Sequence, residues 1–113
     1  MTDKRFRVEL TQGAEEDLEA IHGWLAGNRS PDQADALLDD LLVLVASLEE
    51  FPLRGAVPGE LDQLGIRDFR QLGLPPYRLI YRVLGERVVI LLIADGRRDM
   101  QALLERRLLG CQG

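Results

Sequence analysis

The residues best suited to binding chemistry are four arginines in the C-terminal part of the sequence. Arg78 and Arg82 lie in a segment that alternates like a strand, so we expect their side chains on the same face of it. Arg97 and Arg98 follow directly after the next apolar segment. Paired guanidinium hydrogen bonds could hold a phosphodiester or an acidic peptide. The alternative is internal ion pairing with nearby acids, namely Asp68, Asp95 and Asp99.

Other kinds of active site lack the residues that they need. The sequence contains one histidine, His22, and one cysteine, Cys111, so it can form neither an internal disulfide nor a Cys-based zinc site. A single histidine in a helical segment also makes a nucleophilic triad a poor fit. None of the 11 glycines belongs to a phosphate-binding motif. We therefore expect no metal and no cofactor.

Charge is divided unevenly along the chain. Residues 1–65 carry 5 basic and 14 acidic side chains, a balance of −9, whereas residues 66–113 carry 9 arginines and 5 acids, a balance of +4. The net charge of −5 argues against a protein that binds nucleic acid nonspecifically. At 113 residues the sequence predicts a single domain over residues 1–113. No apolar run reaches the roughly 18 to 20 residues of a membrane span, so we expect a cytoplasmic protein without a membrane partner.

The N-terminal half predicts a strand and two helices. Residues 5–10 alternate with period two, as in a half-buried strand. Thr11 can cap the helix that follows, which we expect to end at Gly27 or Asn28. Ser30 and Pro31 form a strong start signal for a second helix, which must end before Pro52. The short connection between these helices favours an antiparallel hairpin.

The C-terminal half predicts three strands and a helix. Residues 52–65 contain prolines and glycines without a period, as in a loop. Strands are expected at 66–72, 77–84 and 87–94, the last of them central because it is apolar on both faces, and a short helix at 97–109. The order β-α-α-β-β-β-α predicts an α+β fold, an antiparallel sheet covered on one face by the helical hairpin. If the hairpin covers the Tyr77 and Tyr81 face, Arg78 and Arg82 face the open side.

The sequence resembles the RelE/ParE superfamily of bacterial type II toxins over about residues 5–105. The resemblance rests on the first strand and on four motifs: AEEDL at 14–18, EFP at 50–52, PYRLIYRV at 76–83 and VVILLIADGRRD at 88–99. It implies a toxin that is neutralised by an antitoxin from the same operon. RelE-like members cut mRNA in the ribosome, whereas ParE-like members inhibit DNA gyrase.

The resemblance also implies roles for particular residues. Arg78 and Arg98 match arginines that contact phosphate in RelE-like toxins. The position of the RelE-like catalytic tyrosine, eight after Gly96, is Leu104 here, and leucine cannot accept a proton. An acidic chain without lysine after Lys4 is also a poor ligand for ribosomal RNA.

We therefore expect a ParE-like inhibitor of DNA gyrase, a protein inhibitor more than an enzyme. One alternative is a ribosome-dependent endoribonuclease with the ribosome and mRNA as partners. Its site would use Arg78, Arg82, Arg97 and Arg98. Another is a degenerate, non-toxic module that only binds its antitoxin. The expected antitoxin contacts are Trp24 and Leu25 on the first helix and Arg78 and Arg82 on the sheet, with core packing of Trp24 as the alternative.

Overall fold

One strand and two helices form the N-terminal part of the computed structural model, which describes residues 5–110. Cys111 lies outside this range. Thr11 caps the first helix by accepting a hydrogen bond from the Ala14 N–H, and Ser30 caps the second by accepting from the Gln33 N–H. The elements in chain order are β1 (Arg7–Leu10), α1 (Gln12–Asn28), α2 (Pro31–Ser47), α3 (Gly59–Asp62), β2 (Phe69–Leu74), β3 (Tyr77–Leu84), β4 (Arg87–Asp95) and α4 (Met100–Gly110).

The four strands form one sheet in the order β1-β4-β3-β2. As predicted, the apolar strand β4 is central and the C-terminal strands pair antiparallel. The first strand differs from the all-antiparallel expectation, because β1 pairs with β4 in parallel, from Arg7 opposite Arg87 to Leu10 opposite Ile90. No tight turn joins β1 to its neighbour, so local turn chemistry does not determine its direction.

The helical hairpin covers one face of the sheet, as the sequence predicts. Tyr81 and Leu79 of β3 face the hairpin and are buried against it. The helices contribute Ala14, Leu41, Val45 and Leu48 to this core, and β4 contributes Val88, Ile90 and Ile93. Burial of these apolar side chains is what attaches the hairpin to the sheet.

A second core lies on the opposite face, where the sequence predicts an open surface. Met100 and Leu104 of α4 are buried there, together with Leu61 of α3. A β-bulge helps to build this core: Ile80 pairs with Leu92 and Tyr81 with Ile90, so Leu91 is an extra residue. Leu91 and Leu92 therefore both belong to the second core. The face opposite the hairpin is thus partly covered.

Several boundaries differ from the sequence predictions. β1 begins at Arg7 and not at residue 5, and the last helix spans Met100–Gly110 and not 97–109. The loop expected at 52–65 contains the one-turn helix α3, whose four residues are too few to give a periodic pattern. The strand expected at 66–72 is shifted to Phe69–Leu74. Within residues 5–110, no helix is long and apolar enough to cross a bilayer.

Candidate functional site

A groove with a volume of about 710 Å³ lies between α1 and the adjacent end of the sheet. Ile21, Trp24 and Leu25 form a continuous stripe along α1 because residues three and four apart share a helix face. Trp24 is 57% exposed, so it belongs to the groove surface and not to the core. The opposite wall comes from the start of β3 and the end of β4, including Pro76, Tyr77, Ile93, Asp95, Arg97 and Arg98.

The groove exists because β1 is shorter than β4. The last pair of the β1–β4 ladder is Leu10 with Ile90, so β4 continues from Leu91 to Asp95 without a strand on that side. At Thr11 the chain turns away into α1. An unpaired edge of this kind exposes backbone hydrogen-bonding groups that something else must satisfy.

Side chains from two helices form hydrogen bonds with the backbone groups at the edge of β4 next to the groove. Asp17 of α1 accepts a hydrogen bond from the Ile93 N–H at 3.0 Å. Arg107 of α4 donates to the Leu91 carbonyl at 2.7 Å and binds both carboxylate oxygens of Asp17 at 3.0 Å. This ion pair joins α1 to α4 across the edge of the sheet. Neither partner can be inferred from the sequence, because 90 residues separate them.

Three arginines line the groove, and only one of them is neutralised there. Arg97 binds Asp95 through two guanidinium nitrogens at 3.0 and 2.6 Å, which is the internal pairing that the sequence left open. This contact lowers the pKa of Asp95 to about 2. Arg29 and Arg98 form no ion pair among residues 5–110. The groove therefore combines apolar walls with two arginines that form no ion pair with a carboxylate of the described chain.

Arg78 lies on the other face of the sheet, where its guanidinium is hydrogen-bonded to two neighbouring side chains. Its guanidinium binds Glu60 of α3 through two contacts of 2.9 Å and donates from Nε to Gln71 at 2.8 Å. The hydrogen-bonded guanidinium lowers the pKa of Glu60 to about 2, and the pKa of Arg78 is raised in return. The acid is therefore Glu60, and not Asp68, Asp95 or Asp99 as the alternative reading of the sequence proposes.

Arg82 shares the face of Arg78 but has a different environment. Its guanidinium carbon lies 5.4 Å from the centroid of the Phe69 ring on the neighbouring strand. No carboxylate among the described residues pairs with it. The structure thus separates the four arginines: Arg97 and Arg98 join Trp24 and Leu25 at the groove, while Arg78 and Arg82 lie on the opposite face, as predicted.

No tyrosine or histidine of residues 5–110 lies beside the arginines of the second face. Leu104, at the position of the expected tyrosine, is fully buried in the second core. Tyr81 is also fully buried, on the hairpin side, where its hydroxyl accepts from the Gly55 N–H at 3.0 Å and burial raises its pKa. His22 binds Asp35 at 2.8 Å across the hairpin. No group of three or more His, Cys, Asp or Glu side chains within residues 5–110 is arranged to hold a metal ion.

Comparisons with known proteins agree with this architecture. Residues 8–100 match the family model described as "ParE toxin of type II toxin-antitoxin system, parDE". Toxin ParE3 of Caulobacter vibrioides is 32% identical over 101 residues, which cover 89% of this chain and 97% of that protein.

Solved structures of toxin–antitoxin systems share the fold. A chain of the chromosomal ParDE system from P. aeruginosa has a TM-score of 0.69 and 26% identity, covering 81% of this chain and 97% of its own. A chain of the RelBE2 toxin–antitoxin complex from Mycobacterium tuberculosis has a TM-score of 0.58 at 23% identity, covering 83% of this chain and 94% of its own, and supports the fold alone. The chain belongs to the ParE toxin family of type II toxin–antitoxin systems.

Proposed function

We propose that this toxin acts in the cytoplasm by binding and inhibiting DNA gyrase. The observation that carries the proposal, beyond family membership, is the burial of Leu104 at the position where RelE-like toxins carry a catalytic tyrosine. A leucine enclosed by the second core can neither move a proton nor contact RNA. Arg78, the matching phosphate contact, is occupied by Glu60 and Gln71. These features favour inhibition through protein contact over RNA cleavage.

One feature favours the endoribonuclease as a second candidate. Tyr77 lines the same groove as Arg97 and Arg98, so a phenol and two guanidinium groups face one open space. Arg97 is already bound by Asp95, whereas Arg98 forms no ion pair among residues 5–110. A nuclease built here would use Tyr77 as the proton acceptor in place of the missing tyrosine.

Two measurements on the same culture distinguish these activities. The toxin is induced without its antitoxin, and plasmid supercoiling is compared with primer extension on translated mRNA. Loss of plasmid supercoiling with intact mRNA is the expected result. New mRNA ends with normal DNA topology would instead support the nuclease. Unchanged growth at full expression would indicate the degenerate module.

We further propose that the cognate antitoxin occupies the groove beside α1. Its walls are apolar at Trp24, Leu25 and Ile21, and its free charges at Arg29 and Arg98 are positive. An amphipathic segment with acidic residues at its margins complements both properties. Type II antitoxins fit this description when a chain that is disordered alone folds on contact.

The groove assignment is tested with Trp24→Ala. Because Trp24 is 57% exposed, its removal should leave the melting temperature nearly unchanged, while antitoxin affinity falls by about 10-fold or more, as for an aromatic hot spot. Val43→Ala on the outer surface of α2 is the matched control, since Val43 is 71% exposed and lies outside the groove. Equal antitoxin affinities of the two variants would contradict the assignment.

A further inference from the structure

The second face of the sheet carries a strip of side chains beside the second core, and all of them except Phe69 are at least partly exposed. Two register rows cross the strands there: Phe69, Arg82, Val89 and Glu9 in the first, and Leu84, Arg87 and Arg7 in the second. These residues share one face because strand side chains alternate with period two. The two rows are called the arginine strip below.

The arginine strip is positively charged in an acidic protein. It contains three arginines and one glutamate, a formal balance of +2. Glu9 contacts two of the arginines, binding Arg87 at 3.0 and 3.1 Å and lying 3.8 Å from Arg7, which is 78% exposed. Arg82 has no carboxylate partner in the described chain. Glu9 thus pairs with both Arg87 and Arg7, and Arg82 has no ion pair among the described residues.

The opposite side of the molecule has the reverse charge. Exposed acids cover the outer surface of the hairpin, at Glu15, Glu16 and Glu19 of α1 and at Asp32, Asp35, Asp39 and Asp40 of α2. A charge distribution of this kind orients a protein in the field of its partner before contact. None of these seven acids lines the groove, so they repel an acidic partner surface from the outer side of the hairpin, whereas the arginine strip attracts it.

Arg82 is held in place before any partner arrives. Its guanidinium carbon lies over the ring of Phe69, 5.4 Å from the centroid, and Phe69 is 5% exposed in the second core. This contact restricts the side chain, so part of the side-chain entropy that binding normally costs is already lost in the free protein. Arginine and aromatic residues beside apolar ones such as Val89 and Leu84 are also the composition enriched in protein interfaces.

Resting on the proposed function, we propose that the arginine strip, with Arg82 as its anchor, is the surface that binds the protein target through carboxylates of that target. A protein partner fits better than a nucleic acid, because Glu9 already engages Arg87 and Arg7, which leaves Arg82 as the arginine of the strip without a carboxylate partner among residues 5–110 and not the continuous row of free cations that a phosphate backbone favours. The strip lies on the face opposite the hairpin, away from the groove that we assign to the antitoxin.

The test compares Arg82→Gln with Arg54→Gln. Both variants remove one positive charge, and Arg54 is an exposed residue of the loop after α2, outside the strip. Both proteins are first shown to bind the antitoxin with wild-type affinity and to melt cooperatively, so that a loss of activity cannot come from misfolding. Toxicity is then measured after induction without antitoxin, followed by binding to purified gyrase.

We expect Arg82→Gln to reduce growth inhibition and to weaken gyrase binding by about 10-fold or more, as for a hot-spot arginine. Arg54→Gln should stay within about 2-fold of wild type, as rim charges do. Arg82→Lys keeps the charge but not the planar guanidinium with its several donors, and should recover only part of the activity. Full toxicity of Arg82→Gln would overturn the assignment.

Two other outcomes separate this inference from the gyrase proposal. Loss of toxicity in Arg82→Gln, with no gyrase binding by the wild-type toxin, would refute gyrase as the target and still support the strip as the target surface. Arg82-dependent binding of a bare DNA duplex or RNA by the purified toxin would overturn the inference in favour of a nucleic-acid partner.

Discussion

Replacing Glu60 with glutamine measures how strongly the Glu60–Arg78 pair attaches α3 to the sheet. The pKa of Glu60 is about 2, against an ordinary value of 4.5. At about 1.4 kcal/mol per pH unit, this difference corresponds to about 3 kcal/mol of interaction free energy. The two side chains are 30% and 21% exposed, so water screens part of the attraction. We expect Glu60→Gln to lower the free energy of unfolding by about 1–2 kcal/mol at neutral pH.

The pH dependence of this loss identifies its origin. Because the folded-state pKa of Glu60 is lowered, the unfolded chain binds the proton first, near pH 4.5. The stabilisation is therefore complete above about pH 4.5 and disappears as the pH falls towards 2. Urea unfolding of wild type and variant at about pH 7 and about pH 3 should show a difference that shrinks on acidification.

Glu105→Gln is the matched control for this experiment. Glu105 is an exposed residue of α4 with no ion pair in the described chain, so the same change of charge should alter stability by less than about 0.5 kcal/mol. A loss in Glu60→Gln that is equally large at both pH values would refute the reasoning, because the effect would then come from packing and not from the charge.

Two further substitutions test the contacts that support the sites. Gly55→Ala would place a methyl group 2.5 Å from the Gln71 carbonyl oxygen, so we expect a loss of about 1–3 kcal/mol in thermal unfolding. Gly73→Ala, with nothing within 4 Å, should cost less than about 1 kcal/mol and serves as the control. Asp17→Ala removes the acceptor of the Ile93 N–H and should accelerate hydrogen exchange of that amide while lowering stability by about 2–3 kcal/mol. Unchanged exchange at Ile93 would show that the edge of β4 is protected by something else.

Local patterns predict most of the elements and the face that each one buries. The caps at Thr11 and Ser30 set the helix starts, and the alternation of residues 77–84 places Arg78 and Arg82 opposite the hairpin. These features depend on neighbours in the sequence, which is why they can be read from it. The parallel pairing of β1 depends on the tertiary fold and cannot.

The same distinction applies to the candidate sites. Trp24 and the C-terminal arginines stand out by residue type. The family resemblance shows in addition that Leu104 occupies the position of the RelE-like catalytic tyrosine. Glu60 does not stand out, because 18 residues separate it from Arg78 and it comes from a segment without periodicity. The groove itself is equally hidden in the sequence, since it results from the difference in length between β1 and its neighbour.

The pairing of β1 with β4 has a consequence for synthesis of the toxin. Arg7 lies opposite Arg87, so the first strand has no partner until 80 further residues have been added to the nascent chain. Until then the hairpin can pack only on the β2–β3 pair, and the apolar side chains that pack on β4 stay exposed to water. Both candidate sites need β4, because it forms one wall of the groove and contributes Val89 and Arg87 to the arginine strip. A polypeptide that stops before β4 therefore lacks both the complete groove and the complete strip, and on the functions proposed for these surfaces we expect it to bind neither the antitoxin nor the target.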